Sequence, residues 1–254
     1  MDANETWRAP RIWRFLLALS PVVVAPLCRL RVSGEVPEQL RRGPLILAAN
    51  HVSPFDPAVL VAACHRAGLS PRIMATGGVF RAPLVGAVMR RCGHIRVDRG
   101  TARAAEALTD AAKALGEGSV VLVYPEGRIG LDPWMWPERG KTGVARMAEA
   151  AGAAVLPVAQ WGTHAVIPYE APKRLGRGVL RALWRRPVVH VRFGAPVDLS
   201  AVTGTPGARA MRATRLIMAG IDETLAPLRA DEMRTPRVVD TSRPRDTSRV
   251  RPRP

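Results

Sequence analysis

Cysteine is scarce in this sequence of 254 residues. The chain has only three cysteines, which are widely spaced and form no CxxC pair: Cys28, Cys64 and Cys92. Three isolated thiols do not support a disulfide framework, and the absence of paired thiols speaks against a cysteine zinc site. The histidines are scattered and show no HExxH pattern, so a metal is not indicated. Buried, free thiols in a reducing compartment are the simplest expectation.

Long hydrophobic runs are also missing, which limits how the chain can meet a membrane. The apolar stretch at residues 12–28 is interrupted by Arg14, Pro21 and Pro26, and its charge-free part has 14 residues. A spanning helix needs about 20 apolar residues. We therefore expect residues 1–28 to form an apolar helical segment that contacts the membrane interface without crossing it.

Two interpretations of this segment are open. In the first, Trp7 and Trp13 lie at the level of the lipid headgroups, and the neighbouring arginines meet anionic lipid. In the second, the segment is a helix buried against the rest of the domain, because short apolar runs occur in both settings.

Acidic residues are outnumbered, at 21 against 38 lysines and arginines, which gives a net charge of +17. Such a balance favours a polyanionic partner, namely nucleic acid, an anionic membrane surface or a phosphorylated substrate. Aromatic residues make up only 5% of the chain, and no nucleic-acid-binding motif is present. A specific nucleic-acid partner is therefore not expected.

Two segments concentrate the positive charge. Residues 230–254 contain the repeat DTSRPR and DTSRVR, and their composition predicts a disordered basic tail. Residues 173–187 carry six positive charges and no acid, together with Val179, Leu180, Leu183 and Trp184. This second segment is either a surface patch that binds a membrane or partner protein, or a solvated basic loop.

Between the two termini, strand-like and helix-like runs alternate. The strand-like runs are residues 29–34, 44–49, 71–76, 94–97, 119–125, 154–161 and 187–194. The helix-like runs are residues 57–67, 80–91, 101–118, 141–151 and 208–228. This alternation predicts an α/β domain over residues 29–229, with a mixed, largely parallel sheet flanked by helices.

The stretch NHVSPFDP, residues 50–57, places His51 at the end of a predicted strand and Asp56 five residues later. The prolines at 54 and 57 favour a tight connection into a helix, where the carboxylate can reach back to the imidazole. A carboxylate bonded to one ring nitrogen fixes the tautomer and makes the other nitrogen a better base. On its own the pair is also compatible with a turn that merely contains a histidine.

Further polar residues follow other predicted strands. Arg99 comes after the strand at 94–97, and Glu126 follows the strand at 119–125. Since ligands bind outside the carboxyl ends of strands in open α/β sheets, we expect His51, Arg99 and Glu126 to share one crevice. Arginines and backbone amides near a glycine turn are typical of a phosphate site.

These blocks together resemble the four motifs of the 1-acylglycerol-3-phosphate acyltransferase (PlsC-like) family of glycerolipid acyltransferases. The first, NHxxxxD, is matched by Asn50, His51 and Asp56, and the second, roughly GxIFIxR, by Gly93, Ile95, Val97 and Arg99. The third, roughly FPEGTRS, is matched by Tyr124, Pro125, Glu126 and Gly127, and the fourth, a strand with proline, by Val155, Leu156, Pro157 and Val158. The sequence departs from the family at Arg96, where an aromatic is usual, and at Arg128, which follows the glycine directly.

The resemblance implies the glycerolipid acyltransferase fold and a division of roles. His51 is the general base on the acceptor hydroxyl, and Asp56 orients it. Arg99 and Arg128 bind the acceptor phosphate, and Glu126 and Gly127 shape that pocket. Further candidates are Asn50, in the first motif, and Lys141, which either stabilises phosphate or oxyanion charge or is an ordinary exposed lysine.

The implied reaction moves a fatty acyl group from acyl-CoA or acyl-carrier protein to the sn-2 hydroxyl of 1-acylglycerol-3-phosphate, giving phosphatidic acid. No cofactor and no metal are expected, and the enzyme is placed at the cytoplasmic face of the cell membrane, peripheral or monotopic.

The displaced Arg128 leaves a different lysophospholipid or lipid acceptor open. A non-enzymatic basic protein that binds membranes or nucleic acid is the alternative from another class. If the chain is an enzyme, its basic tail is expected to be dispensable.

Overall fold

The sheet at the centre of the domain has seven strands in the computed structural model, which describes residues 7–98, 103–232, 235–244 and 249–250. The strands are β1 (Arg29–Ser33), β2 (Leu45–Ala49), β3 (Arg72–Thr76), β4 (Ile95–Val97), β5 (Val120–Val123), β6 (Ala154–Trp161) and β7 (Val188–Phe193). Their order across the sheet is β1-β7-β6-β2-β5-β3-β4. All neighbours are parallel except β6 and β7. The carboxyl ends of β2 to β6 therefore meet at one edge.

Two central strands, β2 and β5, are apolar along their whole length, as expected for strands that are covered on both faces of the sheet. Every residue of β2, sequence LILAA, is buried. Successive side chains of a strand point to opposite faces, and Leu45, Leu47 and Ala49 pack into one core whereas Ile46 and Ala48 pack into the other. The predicted α/β fold with a mixed, largely parallel sheet is confirmed.

Eight α-helices occur within the described residues. They are α1 (Arg11–Val24), α2 (Asp56–Arg66), α3 (Gly77–Arg81), α4 (Pro83–Arg91), α5 (Arg103–Gly116), α6 (Gly143–Ala151), α7 (Ala171–Arg185) and α8 (Pro206–Leu225). Helices α1, α2 and α7 contribute buried residues to the first core, and α5, α6 and α8 contribute buried residues to the second. The three cysteines are buried and free.

Two helical regions differ from the sequence-based expectation. The run predicted as one helix over residues 80–91 is split between α3 and α4, because Pro83 lacks the N–H that would continue the first helix and begins the second. The basic segment at 173–187 is not a loop, since most of it lies in α7. Ala182 of this helix is buried, whereas Leu180, Leu183 and Trp184 are exposed.

The N-terminal helix α1 is only partly as expected. Trp13 is buried and donates its indole N–H to the Pro71 carbonyl at 3.1 Å, so its predicted place at the lipid headgroups is wrong. Phe15, Val22 and Val23 on the same helix are exposed. In the part of the chain that the structure describes, no helix is both long and apolar enough to span a bilayer.

The C-terminal segment also differs from its prediction. Part of the described stretch within residues 230–254 packs on the domain: Glu232 and Arg243 are buried, and Arg249 forms an ion pair with Asp132 at 2.5 Å. The composition suggested disorder because the segment has almost no large apolar residues. Arg243 and Arg249 pack instead through buried oxygen partners and aromatic faces, which a hydropathy pattern does not register.

Candidate active site

The turn between β2 and α2, residues 50–56, brings the predicted base and its carboxylate together; we call it the His51 turn. Nδ1 of His51 lies 2.7 Å from Oδ2 of Asp56. The same Oδ2 accepts the backbone N–H groups of Val52 at 2.6 Å and Ser53 at 2.9 Å. Asp56 is fully buried and is the first residue of α2, where the helix dipole complements its negative charge. A neutral imidazole that donates Nδ1–H to this carboxylate carries its lone pair on Nε2.

Asn50 fixes the start of the His51 turn to the neighbouring strand. Its side-chain amide donates to the Gln160 carbonyl at 3.0 Å and accepts the Gln160 backbone N–H at 2.8 Å. The Gln160 side chain in turn donates to the Asn50 carbonyl at 2.8 Å. Both residues are buried. Asn50 therefore joins the start of the His51 turn to β6, and its partner Gln160 was not found from the sequence.

Glu126 connects the His51 turn with the loop after β5, residues 124–130, which we call the third-motif loop. Its Oε1 accepts the His51 backbone N–H at 3.1 Å, and its Oε2 accepts the Glu138 N–H at 3.3 Å. Glu126 as a residue is only 5% exposed. Burial raises the pKa of Glu126 to about 8, against the lowering effect of these two hydrogen bonds, and the nearby Glu138 and Asp56 raise it further.

The imidazole of His51 lies against the ring of Tyr124. The two ring centroids are 4.0 Å apart and the planes are inclined by 17°. Burial raises the pKa of the Tyr124 hydroxyl well above its usual value, so the phenol is neutral. With Asp56 at one edge and Tyr124 on one face, the histidine side chain is 14% exposed, which restricts it to one orientation.

Arg128 and Lys141 supply positive charge beside the third-motif loop. Arg128 is about half exposed and donates to Oε2 of the buried Glu138 at 3.0 Å. Gly127 has φ of +72°, a conformation that favours glycine, and a Cβ there would lie 3.3 Å from the Lys141 side chain. The exposed Lys141 therefore passes directly over Gly127. Arg99, the predicted phosphate ligand of the second motif, lies outside the described residues.

An apolar pocket adjoins this charged group. Its volume is about 260 Å³, and both Lys141 and Gly127 contribute to its wall. Most other lining residues are aliphatic: Met74, Val97, Leu108, Val123, Val144 and Met147. A pocket of this kind, with a cation at its edge, suits an amphiphile whose apolar chain is buried and whose anionic group is paired.

Of the eight predicted site residues, the seven that the structure describes lie in one region. Asn50, His51 and Asp56 belong to the His51 turn, and Glu126, Gly127 and Arg128 belong to the third-motif loop. Lys141 joins them through Gly127 and through its backbone N–H, which donates to the Pro125 carbonyl at 2.9 Å. Sequence reasoning missed Gln160 and Glu138, whose contacts with the site depend on the fold.

The comparisons with known proteins agree with this geometry. The Acyltransferase family model matches residues 29–161. The lyso-ornithine lipid O-acyltransferase of Pseudomonas aeruginosa is 31% identical over 209 residues, which cover 78% of this chain and 74% of that protein. The chloroplastic 1-acyl-sn-glycerol-3-phosphate acyltransferase BAT2 of Brassica napus is 26% identical over 157 residues, covering 61% of this chain and 43% of that protein.

A third relative is an uncharacterised protein of Mycobacterium tuberculosis strain H37Rv, 31% identical over 150 residues, covering 55% of this chain and 39% of the relative. This chain thus matches only about two fifths of the length of that relative and of BAT2.

Among solved structures, the 1-acyl-sn-glycerophosphate acyltransferase PlsC of Thermotoga maritima superposes with a TM-score of 0.61. Its sequence identity is 21%, and the match covers 83% of this chain and 78% of that one, which establishes a shared fold. The family model spans more than half of the sequence and includes the His51 turn and the third-motif loop. The chain therefore belongs to the Acyltransferase family, as its resemblance to the PlsC-like glycerolipid acyltransferases predicted.

Proposed function

We propose that the protein transfers a fatty acyl group from acyl-CoA or acyl-carrier protein to the sn-2 hydroxyl of 1-acylglycerol-3-phosphate, giving phosphatidic acid for phospholipid biosynthesis. The observation that carries the proposal is the 2.7 Å contact between His51 Nδ1 and the buried Asp56. It leaves Nε2 as the nitrogen that can accept a proton from a substrate hydroxyl.

The reaction is a direct transfer. Nε2 of His51 takes the hydroxyl proton as the oxygen attacks the thioester carbonyl carbon, which forms a new C–O bond. When the tetrahedral intermediate collapses, the C–S bond breaks and the leaving sulfur receives the proton from the imidazolium. Asp56 stabilises that imidazolium and keeps the ring in place. No covalent enzyme intermediate and no cofactor are needed.

The acceptor phosphate is assigned to the positive groups around the third-motif loop. Arg99 and Arg128 are the proposed ligands, and Lys141 adds a third cation beside Gly127. Glu126 is not itself a phosphate ligand in this proposal, because a carboxyl group whose two oxygens accept backbone N–H groups of His51 and Glu138 is suited to positioning. The apolar pocket beside Lys141 takes one of the acyl chains.

A second candidate is the same acyl transfer to a different lyso-lipid. The Arg128 guanidinium already pairs with Glu138, which reduces the net positive charge available to a phosphate. In addition, one relative whose match covers 78% of this chain and 74% of its own length is named for lyso-ornithine lipid, whose headgroup is an amino acid. A zwitterionic acceptor would interact with both Arg128 and Glu138.

The acceptor is proposed to be reached from an anionic membrane surface at the cytoplasmic side of the cell membrane, with the protein peripheral or monotopic. Arg186, which follows α7, donates to the carbonyl of Ala25, which follows α1, at 2.8 Å. The carboxyl ends of these helices therefore adjoin. Phe15, Val22 and Val23 of α1 and Leu180, Leu183 and Trp184 of α7 are exposed; we call these six residues the apolar surface. Arginines on α7 flank it, which suits anionic lipid headgroups.

The test is an acylation assay of the purified protein with labelled acyl-CoA and acyl-carrier protein donors. The acceptor panel contains 1-acylglycerol-3-phosphate, lysophosphatidylglycerol, lysophosphatidylethanolamine and lyso-ornithine lipid. We expect acylation of 1-acylglycerol-3-phosphate and its loss in His51→Ala at unchanged Tm, because the base is gone while the fold remains. Activity with lyso-ornithine lipid but not with 1-acylglycerol-3-phosphate would establish the second candidate instead.

Full activity of His51→Ala would remove His51 as the base. Absence of transfer to every acceptor, combined with strongly salt-dependent DNA binding, would favour the non-enzymatic basic protein.

A further inference from the structure

A tail arginine, Arg243, is inserted between the two loops of the site. Its side chain is fully buried although it lies nearly two hundred residues after the His51 turn in sequence. One terminal nitrogen, Nη2, donates to the carbonyl of Val52 at 2.5 Å. The other, Nη1, donates to the carbonyl of Gly130 at 2.7 Å. Val52 belongs to the His51 turn and Gly130 ends the third-motif loop, so one guanidinium bonds to both.

The two residues whose carbonyls accept these bonds also donate their own backbone N–H groups to the catalytic pair. The N–H of Gly130 donates to the His51 carbonyl at 2.8 Å, and the N–H of Val52 donates to Asp56 Oδ2 at 2.6 Å. The guanidinium therefore completes a ring of hydrogen bonds through Gly130, His51 and Val52. A shift of either loop would therefore move the backbone of His51 and change the orientation of its imidazole.

The arginine is itself held in place from the tail side. Its Nε donates to Asp240 Oδ2 at 2.8 Å, and the N–H of Asp240 donates to the Pro133 carbonyl at 2.9 Å. The guanidinium also lies 5.0 Å from the centre of the Tyr169 ring, within the range of a cation–π contact. Three polar contacts and an aromatic face fix a planar group that a flexible ammonium would reproduce only in part.

We propose that Arg243 is a positioning residue for the catalytic histidine, and that residues 240–243 of the tail are part of the active-site framework. The inference rests on the proposed function of His51, because it concerns the orientation of the same base. A buried guanidinium that satisfies two loop carbonyls restrains both loops at once, and removing it leaves those carbonyls without their donor. Misplacement of a base by about 1 Å is enough to slow a reaction by about 100-fold.

The experiment compares Arg243→Ala with Arg249→Ala in the full chain. Arg249 is a matched control, since it is a tail arginine whose guanidinium pairs with the buried Asp132 and lies over the Trp134 ring, and neither of these residues belongs to the His51 turn or the third-motif loop. We expect both variants to lower Tm. Only Arg243→Ala should lower kcat, on the order of 10- to 100-fold by analogy with other groups that orient catalytic ligands, with KM little changed.

Two further readouts separate positioning from stability. Added guanidinium chloride at millimolar concentration should restore part of the kcat of Arg243→Ala, because the free cation fits the vacated site, and should not affect Arg249→Ala. In the proton NMR spectrum, the downfield signal of the His51 Nδ1–H, identified by its loss in His51→Ala, should shift or broaden in Arg243→Ala alone. If Arg243→Ala does not fold, Arg243→Lys is measured in the same way, and an intermediate loss of kcat is expected.

The proposal is overturned if the Arg243 variant retains both the kcat and the Nδ1–H signal of Arg249→Ala. The NMR arm does not depend on acyl transfer. If the wild-type protein acylates none of the acceptors, the function proposed above fails, and the spectrum alone still decides whether Arg243 orients His51.

Discussion

At the scale of single residues, Glu126 has the most unusual environment in the site. A carboxyl group in water loses its proton near pH 4.5, whereas burial raises the pKa of Glu126 to about 8. Its two oxygens accept N–H groups from His51 and Glu138, and Glu138 brings a second buried carboxylate close by. Keeping Glu126 protonated avoids placing a second negative charge beside that of Glu138, for which Arg128 supplies one counter-charge, in a buried loop.

This pKa predicts how stability depends on pH. The folded protein holds the Glu126 proton up to about pH 8, whereas the unfolded chain releases it near 4.5. Because the native state binds more protons in this window, the contribution of Glu126 to the free energy of unfolding is full below about pH 4.5 and is lost as pH rises to about 8. In Glu126→Gln this loss should be absent, so the urea midpoint should fall less between these two pH values than in the wild type.

Glu149→Gln is the control for this measurement. Glu149 is exposed and pairs with Arg209 on the surface, so neutralising it should leave the pH dependence of the wild type in place. A Glu126→Gln variant whose urea midpoint follows the wild-type pH curve would show that Glu126 is ionised in the folded protein.

At the scale of elements, local sequence patterns were sufficient for the strands and for the His51 turn. All seven strands lie at their predicted places because apolar runs of this length between turn residues have few other solutions in an α/β domain. The contact of His51 with Asp56 was predictable because it spans five residues and two prolines define the turn. Its structural support was not predictable, since Gln160 lies 110 residues from Asn50 in the sequence.

Where the elements differed from expectation, the cause is chemical. Proline at position 83 restarts a helix that an apolar pattern alone would extend. Residues 173–187 have too many charges for an ordinary core helix, and α7 forms because one face, represented by Ala182, reaches the core. The tail was predicted to be disordered from its composition. Arg243 instead donates to two buried carbonyls that come together only when the two loops are folded.

Helix α7 carries a prediction of its own. Trp184 is 91% exposed and Leu180 is 69% exposed. Burying such a side chain in lipid contributes about 1.5–3 kcal/mol. The double variant Leu180→Ala with Trp184→Ala should therefore bind phosphatidylglycerol vesicles at least about tenfold more weakly in a sedimentation assay. Its Tm should remain close to the wild-type value, because both side chains are already solvated in the free protein.

Met211→Ala provides the comparison for α7. Met211 is a similarly exposed apolar residue, but it lies on α8, in the helix layer of the second core. Its replacement should leave vesicle binding unchanged. Equal weakening by both changes would indicate nonspecific adsorption, and the apolar surface of α1 and α7 would lose its proposed role.

At the scale of the whole molecule, the net charge is +17, and the arginines that contribute to it fall into two groups. Some are internal. Arg229 is fully buried, lies 4.0 Å from the centre of the Trp136 ring and 3.9 Å from that of the Trp161 ring, and pairs with Glu232. Burial lowers its pKa to about 10, so it stays charged at neutral pH. Arg243 and Arg249 are likewise paired inside the fold. These side chains stabilise the molecule and are not available to attract lipid.

Most of the other arginines that the structure describes are exposed and contribute to the long-range field, so the effect of salt on the rate of acyl transfer should depend on how the acceptor is presented. Salt shortens the Debye length from about 14 Å at about 0.05 M to about 4 Å at about 0.5 M, which screens attraction to an anionic surface. With the lyso-lipid in phosphatidylglycerol vesicles, the initial rate of acyl transfer at limiting protein should fall steeply over this range of NaCl. With the same lyso-lipid dispersed in neutral detergent, the rate should change little, because the buried contact of His51 with Asp56 is screened far less. Equal salt dependence in both assays would show that salt acts on the chemical step or on the binding of the donor. The positive charge of this protein would then not be what recruits it to the membrane.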